Sequence, residues 1–232
     1  MNTIKSTLAS GINALTIFFA KGHTSAFDAE ATRLGTNYGG YLIPNEILSS
    51  DASRTLISGG LGFDISFDVS LIEFGFEVIG IEPVQQSIDW VRSEIRNLNI
   101  SDRYSIIPKA ISESGDFVEF RPPMRAKNYN WWAIQSDSDV QLKRVRFPCV
   151  SVVDLYNMAS AQSDIVIGKF DIEGNEMQII QTILNNGLKF SWLIIEMDYL
   201  NLIRTINFPR RIYRTFIAVS YTHLTLPTIY SV

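Results

Sequence analysis

Three carboxylates and a cluster of glycines carry most of the chemistry this sequence offers. Glu82, Asp171 and Glu196 each stand at or near the C-terminal end of an apolar run: Phe76 to Ile81, Ile165 to Phe170, and Ser191 to Met197. Short apolar runs of this kind read as strands, and a run as continuous as Ile165 to Phe170 reads as one buried on both faces of a parallel sheet. In an open α/β sheet the C-terminal strand edge is where ligands bind. Each carboxylate alone also fits a solvated loop or a helix cap. Asp171 and Glu173 precede a helical stretch, where negative charge is favoured anyway. Three together on one rim point to a binding edge, since acids among apolar neighbours are costly without partners.

The glycines complete the pattern. Thr55 to Ser58 enters Gly59, Gly60 and Gly62, a helical stretch follows at once, and the next apolar run stops on Glu82. Glycines let the backbone approach a ligand, the helix N-terminus offers N–H groups, and the terminal acid can hold two ribose hydroxyls. The distance from Gly62 to Glu82 suits a dinucleotide as well as S-adenosylmethionine, so this stretch names a ligand class and leaves the reaction open. Among the remaining candidates for proton transfer, His23 lies in an N-terminal loop and is not expected to act as a base. No metal-ligand spacing is evident.

The elements that must position these residues alternate. Asp64 is placed to cap a helix whose Ile65, Val69 and Ile72 form one buried face, and Gly75 ends it. Ile88, Val91, Ile95 and Leu98 mark a second amphipathic helix. Tyr104 to Ile107 is a third strand, Val118 to Phe120 a short edge strand, and Phe147 to Val153 another strand, with Asp154 starting a helix. After Asp171, a helix turns Met177, Ile180, Ile183 and Leu184 inward and closes at Gly187. Right-handed crossovers through such an order build a doubly wound, mostly parallel sheet.

Two stretches stand outside that rhythm. Residues 23 to 54 are polar and irregular, with Tyr38-Gly39-Gly40-Tyr41 forming a turn or lid, or else a covering loop on the sheet edge. Residues 121 to 146 hold Pro122-Pro123, several basic residues and Asn128-Tyr129-Asn130-Trp131-Trp132. Paired tryptophans suit a substrate wall, and equally a plain hydrophobic cover.

Composition sets the outer limits. The chain has 232 residues, 46% of them hydrophobic and 19% charged, which describes a globular protein with a substantial core. Its formal net charge of −4 gives no general attraction to nucleic acid. The single cysteine, Cys149, allows neither an internal disulfide nor a multi-cysteine zinc site and fits a reducing, cytoplasmic setting. Ile12 to Ala20 is apolar but far short of the roughly 20 residues that span a bilayer. It is expected to be an amphipathic helix packed on the domain. Val219 to Thr228 resembles a translation of the transposase adapter used in short-read sequencing libraries, which would make residues 219–232 a non-native tail and remove His223 from any catalytic argument.

The chain resembles FkbM-type methyltransferases, a class I S-adenosylmethionine-dependent family, from Tyr38 to about Asp198. The resemblance rests on Tyr38-Gly39-Gly40, on Ser58-Gly59-Gly60-Leu61-Gly62-Phe63-Asp64-Ile65-Ser66-Phe67-Asp68, on Ile81-Glu82-Pro83, on Ile195-Glu196, and most specifically on Lys169-Phe170-Asp171-Ile172-Glu173-Gly174-Asn175-Glu176. It implies a Rossmann-like methyltransferase domain over 55–218, preceded by a helix and covering segment over 1–54. It further implies S-adenosylmethionine as cofactor and O-methylation of a small molecule or carbohydrate. Gly60 and Gly62 would lie close to the methionine half, Glu82 would take the ribose hydroxyls, Ala110 and Ile111 would flank the adenine, and Asp171 would face the methyl side. Asp171, Glu173 and Glu196 are the candidate bases. The family's usual first motif has an acid at Ser58 and glycine at Asp64, so the acid's role toward the cofactor ammonium would pass to another residue, such as Asp64. Nucleotide-binding alternatives stay open: a nicotinamide-dependent oxidoreductase, or a non-catalytic truncated domain. Class I sheets end in an antiparallel hairpin that residues 199–218 are too few to complete, so a C-terminally truncated, destabilised domain with a bare apolar sheet edge is expected.

Overall fold

A computed structural model describes residues 31–113, 116–122, 132–133, 144–172, 174–196 and 216–220, the pairs at 132–133 and the run 216–220 as backbone. The segment Ile12 to Ala20, His23, the aromatic residues Tyr129 and Trp131, Glu173 and His223 lie outside them.

Strands β3 (Arg54–Gly59), β4 (Glu77–Ile81), β5 (Tyr104–Ile107), β10 (Ile165–Phe170) and β11 (Trp192–Glu196) form a parallel sheet. In space the order is β11-β10-β3-β4-β5, so it reverses between β3 and β10. Helices α2 (Ser66–Glu73) and α3 (Gln85–Asn97) cover one face, α4 (Val152–Ser160) and α5 (Glu176–Asn185) the other. Strand alternation divides the core accordingly: Leu56, Ile167 and Ile194 pack under α2 and α3, while Ile57, Val166 and Ile195 pack under α4 and α5. The fold is thus a mixed α/β, doubly wound and Rossmann-like one.

Several local expectations need correcting. Residues 31–48 are regular: β1 (Ala31–Leu34) and β2 (Tyr41–Pro44) pair antiparallel as a hairpin, and α1 (Asn45–Leu48) follows. Burial of Leu34, Tyr41, Ile43 and Ile47 explains why this polar stretch is ordered. Val118 to Phe120 and Phe147 to Val153 do not belong to the main sheet. β6 (Ala110–Ser112), β9 (Val145–Ser151), β7 (Phe117–Arg121) and β8 (Trp132–Ala133) make a second, four-stranded sheet in that order. Its small core is Ala110, Phe120 and Cys149. Helix α4 starts at Val152, earlier than Asp154, because Ser151 caps it by accepting the Asp154 N–H at 3.0 Å.

Two leucines assigned inward are exposed. Leu98 (47%) is the C-cap of α3, past its last inward turn. Leu184 (58%) lies off the α5 stripe, which runs through Glu176, Ile179 and Ile183. In α2 the buried residues are Phe67, Asp68, Leu71 and Ile72, with Val69 partly buried beside them. Finally, one antiparallel strand follows β11: β12 (Phe216–Ser220) pairs with it from Trp192↔Ser220 to Glu196↔Phe216 and is the outermost strand of the sheet among the described residues.

Candidate active site

The reversal of strand order between β3 and β10 opens a crevice at their C-terminal ends, the place where doubly wound sheets bind ligands. The chain from β3 turns there through Gly60, at φ +76°, and Gly62, at φ +51°. Gly60 has no alternative residue type. A Cβ at this position would be driven into the carbonyl oxygen of Asp171, at the tip of β10. Its N–H bonds the Ile81 carbonyl at 3.0 Å, and the Asp171 N–H bonds the Gly59 carbonyl at 3.0 Å. At Gly62 a Cβ would meet no atom within 4 Å, so the loop presents open space there.

Glu82 is tied to this loop from the end of β4. Its Oε2 accepts the N–H groups of Leu61 (3.1 Å) and Gly62 (3.2 Å), and its Oε1 that of Val84 (2.9 Å). Only 6% of the residue is exposed. Burial pushes its carboxyl up from the ordinary value, against the three amide bonds and the charge of Lys169. A carboxylate has about four acceptor positions. Three are taken, which leaves one, on Oε1, so only one of two further hydroxyl donors would find an unused position.

Ser58 and Asp64, the two departures from the usual motif, have distinct local roles. Ser58 is fully buried and donates to Asp68 Oδ1 at 3.0 Å, while Tyr104 donates to Asp68 Oδ2 at 2.6 Å. Burial raises Asp68, partly offset by Lys169 and these two hydroxyls, and burial raises Tyr104 well above its ordinary value. Ser58 therefore braces α2 beneath the loop. Asp64 anchors the hairpin instead: Oδ2 accepts from Thr36 Oγ1 at 2.7 Å and Oδ1 from the Ser66 N–H at 2.9 Å. Burial pushes Asp64 up, yet the bonds from Ser66 and Thr36 and the charge of Lys169 leave it below the usual carboxylate value. Gly39 is pressed so close that a Cβ would stand 2.6 Å from Asp64 Oδ2. The Tyr38-Gly39-Gly40 turn thus closes onto the start of α2, with Tyr38 exposed at the rim.

Two residues given no role on sequence occupy the centre. Lys169 is buried on β10, opposite Ser58, and its Nζ donates to the Gly60 carbonyl at 2.7 Å. Burial lowers its affinity for the proton, but Tyr41, Asp171, Asp68 and Glu196 together hold it above the ordinary lysine value. Tyr41 comes from the hairpin and stacks edge-on against Phe67 at 5.0 Å. Burial raises the Tyr41 phenol to about 12. At neutral pH the phenol is uncharged, so the Lys169 ammonium is balanced by the carboxylates. A lone cation in a strand buried on both faces was the available sequence signal.

Asp171 follows β10 and Glu196 ends β11, the strand paired beside it, so both stand at the same edge of the sheet. Asp171 and Glu196 are both half-buried. Ala110 and Ile111 open the second sheet on the other side of the crevice. A Cβ on Gly59 would meet the side chains of Ile111, Phe170 and Ile172, so these three form an apolar floor under the glycine turn. Asn175, at the start of α5, donates to the Ile111 carbonyl at 3.5 Å. Among the described residues no cluster of His, Cys, Asp and Glu could hold a metal ion, and no helix is long and apolar enough to cross a membrane.

Neither a curated protein nor a solved structure matches the chain. A protein-family model does: the methyltransferase FkbM domain matches residues 62–212, from the last glycine of the loop through Glu82, Lys169, Asp171 and Glu196. That match spans more than half of the chain, and the chain belongs to the FkbM methyltransferase family.

Proposed function

We propose that this chain binds S-adenosylmethionine in the crevice and methylates a hydroxyl of a small molecule or carbohydrate. One observation carries the choice of ligand. The N–H groups a diphosphate would need are already given to the protein's own acids. Leu61 and Gly62 donate to Glu82, and the first amide of α2 donates to Asp64. A dinucleotide fold keeps such groups for its pyrophosphate. In this crevice the carboxylates of Asp171, Glu196 and Asp68 instead offset one ammonium, Lys169, and the excess of acids suits a cationic nucleoside without phosphate. The oxidoreductase alternative loses its phosphate cradle.

The residues fit that cofactor as follows. Gly60 and the open side of Gly62 leave room for the methionine half, Glu82 receives the ribose edge, and Ala110 and Ile111 with the apolar floor flank the base. Asp64, two residues past Gly62, is the acid offered to the ammonium group. When bound, the cofactor supplies an electrophilic methyl carbon. An acceptor oxygen held in line would displace the sulfur, which would leave with the carbon–sulfur electron pair. What the protein adds is alignment and a carboxylate for the hydroxyl proton: Asp171 and Glu196, with Glu173 beside them in sequence, are the candidates. Lys169 stays protonated and is no base. The residues 55–218 form the methyltransferase domain, with the hairpin as its cover.

Titration calorimetry tests the reading. S-adenosylmethionine is expected to bind saturably and NAD not at all, with Glu82→Ala weakening the former at least about tenfold. Saturable NAD binding, or a Glu82→Ala variant indistinguishable from wild type, would sink it.

A further inference from the structure

The family match begins at residue 62, so the glycine turn at Gly59 and Gly60, and the hairpin with Tyr41, lie outside it. Lys169 is what joins these parts to the rest of the site. Its ammonium bonds the carbonyl of Gly60, the one loop residue whose path is fixed by steric exclusion. Its charge is offset by Asp171 from its own strand end, Asp68 from α2 and Glu196 from β11, while Tyr41 from the hairpin, neutral at pH 7, becomes a further partner only when ionised. No other basic side chain is buried among the described residues. Burying an ammonium is costly unless it is bonded and compensated, and nothing in the strand's packing calls for one. A methionine would fill the same volume between Ile167 and the crevice.

We propose that Lys169 is a positioning residue of the cofactor site, with two separable actions. It latches the glycine turn by its bond to Gly60, and it sets a fixed positive charge against which a sulfonium cofactor and its neutral demethylated product are distinguished. The latch half needs only the ligand-free chain. The charge half rests on the methyltransferase reading. The sulfonium ligand is opposed by the ammonium and drawn by the carboxylates, while the thioether product feels neither at sulfur. Removing the ammonium therefore favours the sulfonium ligand specifically, whereas a loosened loop weakens both ligands by the same factor.

The first arm measures amide hydrogen exchange of the ligand-free chain. In Lys169→Met the amides of Leu61 and Gly62, whose partner Glu82 depends on the loop's position, are expected to exchange at least about tenfold faster, with β4 and β5 unchanged. Unchanged loop rates overturn the latch, and so does a uniform acceleration of the whole sheet, which would mark general destabilisation. The second arm measures Kd for S-adenosylmethionine and S-adenosylhomocysteine. The ratio of product to substrate Kd is expected to rise at least about threefold in Lys169→Met. Lys169→Arg keeps the charge but not the single short bond in its buried site, so it should free the loop amides and hold the wild-type ratio. It also serves if Lys169→Met fails to fold. A ratio that stays constant in Lys169→Met, or moves equally in Lys169→Arg, overturns the charge half. A wild-type chain that binds neither ligand overturns the methyltransferase reading and the charge half with it, and the exchange arm still decides the latch.

Discussion

Two of the molecule's sheets, the main one and the four-stranded one, treat the same functional group in opposite ways. Around the main sheet's crevice, Glu82 and Asp68 are buried, and backbone amides or hydroxyls satisfy them directly. In the second sheet Glu119 is half-buried and meets charged partners instead: Arg144 at 2.9 Å and Arg146 at 3.8 Å, across the register pair Glu119↔Arg146. An acid that keeps part of its hydration and has arginine partners costs less to hold than a fully buried one. Buried acids held by neutral donors are kept at the expense of burial, which raises them above their ordinary values. The difference separates a sheet that supports from an edge prepared for a ligand.

The sharpest way to break this comparison is at the turn itself. Gly60→Ala puts a Cβ into the Asp171 carbonyl at a φ that L-residues rarely adopt. It should cost about 3 kcal/mol or more, seen as a large fall in the urea midpoint. A near-wild-type midpoint would show that the loop and β10 are not locked together. Glu82→Ala comes next. It strips three backbone amides of their acceptor but also removes a buried acid, so a loss of about 1–3 kcal/mol is expected.

A pH series probes the buried acids more gently. Burial raises Asp68 and Glu82, so the folded chain holds protons that the unfolded chain has already released. Their contribution is complete below the unfolded values near about 4 and declines as pH rises through the raised folded values. Asp64 runs the other way: its value is lowered, so its contribution is present above the unfolded value and lost as pH falls through the folded one. Asp68→Asn can still bond both hydroxyls, since each can accept as well as donate. It should change stability by about 1 kcal/mol near neutrality and flatten the decline above the acid range. Parallel Tm–pH curves for the two proteins would contradict the assignment of that decline to Asp68.

How far the sequence went follows the same division. The strand ends and the glycine turn were legible because buried parallel strands are continuous apolar runs and a backbone clash leaves only glycine. Ile165–Phe170 was read to the residue. Lys169 was read as part of a motif with no role, although one charge inside that run already demanded partners. Tyr41 was hidden because its site contact crosses from a hairpin that polar composition disguised. Asp68 sits on the inward face of α2, and an acid there resembles an ordinary helix residue until Ser58 and Tyr104 are seen to meet it. The second sheet was missed for a topological reason: β6 and β7 each pair with β9 across a polar insertion, and no periodicity in one strand reveals its partner.

The smallest expected effect lies in that second sheet. The Arg146 guanidinium sits 3.4 Å over the Phe117 ring and pairs with Glu119, and its side chain is 58% exposed. Truncation in Arg146→Ala leaves Glu119 its closer partner, Arg144. The exposed ion pair and the cation–π contact each account for less than about 1 kcal/mol, and solvent screening reduces the pair further. A Tm shift of no more than roughly 2–4 °C is expected, with S-adenosylmethionine affinity unchanged. Because β6 of this sheet carries Ile111 into the crevice, the affinity is the informative number. If it fell while stability held, the two sheets would share one ligand surface, and the contrast between a supporting sheet and a ligand edge would fail at Arg146.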